Sequence, residues 1–460
     1  MAGILDQINS IVLVMMENRS FDHLLGHLTV DNPALDVNGL RAPFDKYNNI
    51  YNGTPYPVYA RDNDAELAHD IPHEGDYVQT QLAYNKINDN YGMNGFVTAY
   101  AQSTGIPPNP QCEPMGYFPA PYLPMTTFLA KNFCLCDNWF SPIPTSTQPN
   151  RTMAFSGDTP IYQTKAQLID IGDNNIFEWL ENHGVRWRVY NEGFSFFTLY
   201  PKLLGRILGK NFRHYDELYN DIMTEPSATA PQVTIIEPVY QDAPHLGKQP
   251  DDNHAPLAVA WGEDFLRRTY QAITANQEKW QNTLMILYYD EHGGFYDHEP
   301  PKPISYTTTG GEHSFSSTGP RIPAILISPF VQPGQPCHQV FDHTSVLQLL
   351  AEKFGTPGEA WSPAVAARKA AGIQSIQAAL SATAVKEPPK EPLTPISASV
   401  SLGTQLSTPP PGAMAQAFTA AALQMLTTDH DNTVAKYPEL VRWKNEAALP
   451  RNQSAPSGNS

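Results

Sequence analysis

Two short apolar stretches of this chain end in clusters of side-chain oxygens. Ile11 to Met16 runs into Glu17, Asn18, Arg19, Ser20, Phe21 and Asp22. Leu284 to Tyr289 runs into Asp290 and Glu291, followed by His292, Gly293, Gly294, Phe295, Tyr296, Asp297 and His298. Carboxylate and carboxamide oxygens without sulfur suit hard divalent cations such as calcium, magnesium or manganese. Taken singly, either cluster also reads as a turn cap or as scattered surface polars. If the two stretches lie side by side, Glu17, Asn18, Asp290 and Glu291 converge on one cation site. Each stretch has the length and composition of a strand buried on both faces of a parallel sheet. In open α/β sheets ligands gather outside the carboxyl ends of the strands, where these oxygens would stand.

Between the two clusters lies a hydroxyl-rich loop, Pro144, Thr145, Ser146, Thr147, Gln148, Pro149, Asn150 and Arg151, leading into a more helical stretch through Ser156. Hydroxyl residues before a proline at the first helical position mark a helix start, and a cap is one reading of them. The other uses the same geometry. A helix N-terminus presents free N–H groups and a positive dipole end to a phosphate, and a Thr or Ser oxygen held there by a cation ionises more easily and becomes a nucleophile. Arg151 either adds charge or forms a structural ion pair. Of 14 histidines, His73, His254, His292, His298 and His343 stand in polar company. They act as catalytic groups only if they converge on a phosphate, where imidazole donates to oxygens or protonates a leaving group near neutral pH.

The elements that must position these groups are legible in the patterning. Strands are expected at 187–190, 233–236 and 324–327 besides the two already named. Helices are expected at 125–132, 175–183, 257–275, 345–354 and 413–426. Alternation of this kind predicts βαβ crossovers, hence an α/β fold with a large, mainly parallel central sheet flanked by helices. Residues 30–125 read as long loops over the site, with a helix at 77–91. Proline is frequent, 43 of 460 residues against about 5% in average proteins. Residues 386–411 are dominated by Pro, Ser, Thr and Lys and read as a linker or surface strap. The division expected is a catalytic domain over 1–380, a strap and helical extension over 381–450, and a disordered tail over 451–460.

Composition excludes several function classes. Lys and Arg total 29 against 46 Asp and Glu, a formal charge of −17, which argues against nucleic acid and anionic membranes. No segment approaches the ~20 apolar residues of a membrane helix, and the N-terminus lacks a charged n-region and a cleavage site. A soluble chain is expected, cytoplasmic or exported without an N-terminal signal. The cysteines, Cys112, Cys134, Cys136 and Cys337, fit neither a zinc ribbon nor C-x-x-C and read as buried free thiols.

These segments together resemble the phosphoesterase family of bacterial phospholipases C and acid phosphatases and plant non-specific phospholipases C. The matching text is ENRSFDHLLG at 17–26, MNGFV at 93–97, TQPNR at 147–151, DNHAP at 252–256, DEHGGFYDHEPP at 290–301, RIPAILISP at 321–329 and DHTSVLQLL at 342–350. The resemblance implies an alkaline-phosphatase-like sandwich and a divalent cation held by Glu17, Asn18, Asp290 and Glu291. It makes Thr147 a further ligand and the nucleophile that forms a phosphothreonyl intermediate, and His73, His254 and His343 the catalytic or phosphate-contacting histidines. Calcium is favoured by oxygen ligation, with zinc the alternative. Plant relatives carry a second histidine shortly after the one matching His254; here Leu257 follows Pro256. The activity implied is a phospholipase C acting on phospholipids, phosphatidylcholine first, in transient contact with membranes or micelles. The alternatives are an acid phosphatase acting on soluble monoesters and, more remotely, a non-catalytic protein that binds phospholipid or metal.

Overall fold

Seven strands pair into one sheet: β1 (Ser10–Met16), β2 (Cys134–Leu135), β3 (Trp187–Asn191), β4 (Phe212–His214), β5 (Val233–Glu237), β6 (Thr283–Tyr289) and β7 (Ala324–Ile327). The structure, a computed structural model, describes residues 3–64, 66–67, 69–381, 387–392 and 412–447. The spatial order is β4-β3-β5-β1-β6-β7-β2. From β4 through β6 every neighbour is parallel, and β7 then runs antiparallel to β6 and to β2. The chain is thus α/β with a mainly parallel sheet, as the alternation predicts, while the antiparallel edge left no mark in the composition of 324–327.

The central strands explain their own burial. All seven residues of β6 and six of seven in β1 are buried, the two-sided apolar environment that only a sheet covered by helices supplies. Among those helices are α1 (Thr147–Ser156), α2 (Ala260–Thr274), α3 (Thr344–Phe354) and α4 (Ala413–Thr428). Helix α2 turns Phe265, Leu266, Tyr270 and Ile273 into the core. Truncating such a side chain to alanine typically costs about 2–5 kcal/mol. Helix α4 lays Ala417, Phe418, Ala421 and Met425 into that same core. Most of the expected strap at 386–411, and the tail at 451–460, fall outside the described residues.

Residues 40–117 form a second, smaller core in which Ile71, Val78, Leu82 and Phe96 pack with Phe295 and Tyr296 of the loop after β6. This module carries His73 to the carboxyl edge of the sheet. The helix expected at 77–91 is shorter. It spans Gly75–Leu82, Ala83 takes a left-handed conformation (φ 48°), and Tyr84–Asn85 pairs with Asn90–Tyr91 as a hairpin. The intervening Asn and Asp residues favour a turn over a continued helix. Helix α1 begins at Thr147, so Pro149 is its third residue and not its first; a first-turn N–H has no intrahelical partner to lose there. Cys112, Cys134 and Cys136 are buried free thiols and Cys337 is partly buried.

Candidate active site

Strands β1 and β6 are parallel neighbours in register, Ser10 against Thr283 through Met16 against Tyr289. They therefore end at one level, and the residues that follow meet. The Asp290 amide donates to the Met16 carbonyl at 3.1 Å, and the Asn18 amide donates to Asp290 Oδ1 at 3.0 Å. Asn18 is held at φ 59°, a left-handed conformation uncommon outside glycine. Gly293 packs against it so closely that a Cβ would sit 2.0 Å from the Asn18 carbonyl oxygen. The Gly293 amide also donates to Glu291 Oε2 at 2.8 Å.

Thr147, the first residue of α1, is buried and its hydroxyl donates to Asn18 Oδ1 at 3.2 Å. One turn later Arg151 reaches back beneath the site. Its guanidinium lies 3.1 Å from Glu17 Oε1 and donates to Asp290 Oδ2 at 3.1 Å. It also donates to the Tyr240 hydroxyl and to the carbonyls of Met15 and Met16. The rings of Phe196 and Tyr240 lie against it at 5.1 and 4.9 Å. Arg151 is accordingly a clamp that fixes two strand-end carboxylates relative to α1.

The histidines separate into two groups. His73 donates from Nδ1 to the Ile71 carbonyl at 2.7 Å, and its Nε2 lies 3.3 Å from Asn18 Nδ2. His254 stands beside it, ring centroids 5.5 Å apart. Its Nδ1 lies 3.4 Å from Glu17 Oε2 and 3.6 Å from Asp242 Oδ2, and its Nε2 is 3.6 Å from Asp70 Oδ2. Neither ring nitrogen of this buried residue has a hydrogen-bond partner among the described residues. His343 has a different place. Trp139 Nε1 donates to its Nδ1 at 3.3 Å, and its Nε2 donates to the Asp290 carbonyl at 2.7 Å, so both nitrogens are engaged and it braces the backbone behind the ligand. His292 donates to Gln81 Oε1 at 2.8 Å. His298 donates to Asp22 Oδ2 at 2.6 Å and to Asn38 Oδ1 at 3.0 Å, in an ion-pair cluster with Arg321 and Asp297.

The profile of the Phosphoesterase family matches residues 8–357. The chain belongs to this family. Among its relatives, a non-specific phospholipase C of Arabidopsis thaliana is 29% identical over 378 residues, covering 75% of this chain and 69% of the relative. A phospholipase C of Mycobacterium tuberculosis is 30% identical over 408 residues, covering 77% and 74%. Among solved structures, the lipoteichoic acid synthase LtaP of Listeria monocytogenes overlaps with a TM-score of 0.36 at 12% identity, over 56% of this chain and 70% of that one. A protein of the alkaline phosphatase superfamily from Vibrio parahaemolyticus overlaps with a TM-score of 0.32 at 14% identity, over 51% and 61%. This phosphoesterase is a phosphoric ester hydrolase.

The charges of the phosphoesterase site are mutually adjusted. Burial raises the Asp290 carboxyl, and the adjoining Glu17 adds to that, so that it is pushed up to about 7 despite Arg151. Burial acts on Glu17 too, but Arg151, His254 and His73 outweigh it and hold the group below its usual value. His73 is carried up to about 9 because Glu291 and Asp70 overcome the burial that opposes its charge. Burial, helped by Arg151 and Arg368, takes His343 down to about 4 against the Asp290 carbonyl and Asp342. Glu291 Oε1, buried, has no hydrogen-bond partner among the described residues. A carboxylate oxygen left so, beside Asn18, Glu17 and Asp290, fits an oxygen-ligated divalent cation.

Asp70, Asp242 and Asp252 complete the surroundings of His254; none of them is among the expected site residues, although Asp252 opens the DNHAP text. Asp242 follows β5, the other neighbour of β1, so the strand-end argument that finds Glu17 also reaches it. Arg19 adds a second tie. It donates to the Asn253 carbonyl at 2.7 Å and to that of Leu257 at 3.2 Å, joining the loop after β1 to the segment bearing His254.

Proposed function

We propose that this phosphoesterase is a metal-dependent phospholipase C that hydrolyses the glycerol-side phosphodiester bond of phospholipids, phosphatidylcholine first. The observation that carries the reading is the seat of Thr147, at the N-terminus of α1 and 3.2 Å from Asn18, between two ligand-bearing strand ends. Relatives named as phospholipases C in a plant and a mycobacterium support the same class.

Glu17, Asn18, Asp290, Glu291 and Thr147 would hold the cation, calcium by oxygen ligation and zinc as the alternative. When bound, it supplies a Lewis acid that eases ionisation of the threonine hydroxyl and offsets phosphate charge. The remaining roles belong to the chain. The first-turn amides of α1 and its dipole stabilise negative charge on the phosphoryl oxygens. Thr147 attacks phosphorus, the bond to the glycerol oxygen breaks, and the headgroup phosphate becomes esterified to Thr147. A proton given up by Thr147 is balanced by one delivered to the departing diacylglycerol alkoxide. His254, whose pKa Asp70 and Glu17 raise against its burial, is the donor in this reading. Water then opens the threonine ester and releases the phosphorylated headgroup. His73 contacts the phosphate, and His343 is a positioning residue acting through the Asp290 carbonyl.

No helix among the described residues is long and apolar enough to cross a membrane; the contact with lipid in this reading is transient. p-Nitrophenyl phosphocholine and p-nitrophenyl phosphate assayed side by side test the reading. Preference for the phosphocholine diester, with release of diacylglycerol from phosphatidylcholine micelles, is expected. Preference for the monoester would replace it with an acid phosphatase.

A further inference from the structure

His254 is surrounded by more carboxylate than it can satisfy. Glu17, Asp242 and Asp70 lie 3.4–3.6 Å from its ring nitrogens, and none of the three completes a hydrogen bond to them. Glu17 is already matched by Arg151 at 3.1 Å. Asp252, a fourth carboxylate beside the ring, accepts the amides of His254 at 3.0 Å and Gln241 at 2.7 Å. Asp70 and Asp242 are the two remaining carboxylates that face the ring; Asp70 also accepts the Ile71 amide and lies 4.0 Å from His73 Nδ1. Side-chain exposure rises outward along the row, from 5% at Glu17 through 13% at Asp242 to 47% at Asp70. Glu17 and Asp242 thus face Nδ1 from inside the site, and Asp70 faces Nε2 from its solvent side.

This arrangement bears on what the phosphate carries. In a choline or ethanolamine phosphodiester the ammonium nitrogen is separated from phosphorus by one oxygen and two carbons, a span of about one side chain. With the phosphate against Thr147 and His254, the ammonium reaches the next layer of side chains, where Asp242 and Asp70 stand. We propose that Asp70 and Asp242 form a headgroup subsite that selects phosphodiesters bearing an ammonium group. The inference rests on the phospholipase reading and names the part of the substrate that this end of the site takes. Carboxylates there attract the ammonium; an uncharged inositol head gains nothing from them, and the carboxylate of a serine head is repelled.

The test compares two diesters with the same leaving group, p-nitrophenyl phosphocholine and methyl p-nitrophenyl phosphate, on wild type, Asp70→Asn and Asp242→Asn. The expected result is a wild-type preference in kcat/KM for the choline ester that falls about tenfold in each variant, through KM in Asp242→Asn and, in Asp70→Asn, on top of a fall in kcat shared by both diesters because Asp70 also supports the charge of His254. Asp70, half exposed at the rim, supplies a variant that keeps its fold if Asp242→Asn does not. An equal fall for both diesters would overturn the proposal, because the two aspartates would then only orient the histidines. So would loss of bound metal in either variant by elemental analysis, which would make the row a cation site. A wild type that cleaves both diesters without preference would also overturn it. A wild type active on monoesters alone would instead defeat the phospholipase reading, before any variant is made.

Discussion

Glu17 and Asp290 stand at the ends of two strands that are neighbours in the sheet and 273 residues apart in the chain, and one guanidinium binds both. Arg151 lies 3.1 Å from an oxygen of each. Two adjoining buried carboxylates repel one another and are costly to desolvate. The arginine offsets both effects and leaves the carboxylates' other oxygens turned to Asn18 and His254. A site for a cation is in this way prepared by a cation of the chain itself.

Arg151→Met removes one partner from a buried charge cluster and leaves Glu17 and Asp290 facing each other. A loss of about 3–5 kcal/mol in unfolding free energy is expected, read from the denaturant midpoint. Arg151→Lys should recover only part of it, since a single ammonium cannot serve two carboxylates, a hydroxyl and two carbonyls at once. A stability change below about 1 kcal/mol in Arg151→Met, within the range of an exposed pair, would contradict the clamp.

Gly293→Ala tests the turn that seats Asn18. The added Cβ meets the Asn18 carbonyl at 2.0 Å on a backbone with φ 62°. The strain of such a conformation is about 1–3 kcal/mol, and the contact must also push Asn18 away from Thr147. Turnover should fall by at least tenfold while circular dichroism stays unchanged. A variant with wild-type turnover would show that the position of Asn18 is not critical.

How much of this was readable beforehand follows from residue type. Glu17, Asn18, Asp290 and Glu291 were legible because they terminate unbroken apolar runs, and a buried parallel strand leaves few other readings for such text. The antiparallel return of β7 was not, since its four buried residues look the same in either direction. The hairpin at 84–91 was masked by aromatic and Leu spacing that imitates a helix through Leu82. Asp242 and Asp70 lie in loops of ordinary polar composition, and only their approach to His254 across the fold distinguishes them.

The His298–Asp22 pair predicts a pH dependence of stability away from the candidate site. Burial opposes the charge of His298, but Asp22 outweighs it and raises its pKa. Asp22 is held low by His298 and Arg321 against its own burial. The histidine's contribution is complete below its unfolded pKa of about 6.5 and is lost as pH rises through its folded value; the aspartate's is complete above about 3.9 and is lost as pH falls through its folded value. Thermal denaturation of His298→Asn should lose the alkaline limb of this profile. An identical pH profile in the variant would show that the pair adds nothing.

His254 and His343 should differ in kinetic weight. His254→Ala removes the proton donor of the proposed mechanism and is expected to lower kcat by about 10²–10⁴-fold. His343→Gln keeps an N–H group for the Asp290 carbonyl, and its loss should stay below tenfold and exceed no loss seen in His343→Ala. Equal, large losses for His254→Ala and His343→Gln would place both rings on the reaction path.

The central claim is that the headgroup phosphate passes through Thr147. Wild-type enzyme quenched in acid during turnover of p-nitrophenyl phosphocholine and digested should show, by peptide mass spectrometry, a phosphocholine ester on Thr147, and Thr147→Ala should be folded, unlabelled and inactive. Substantial turnover in Thr147→Ala, or a label on another residue, would contradict the account.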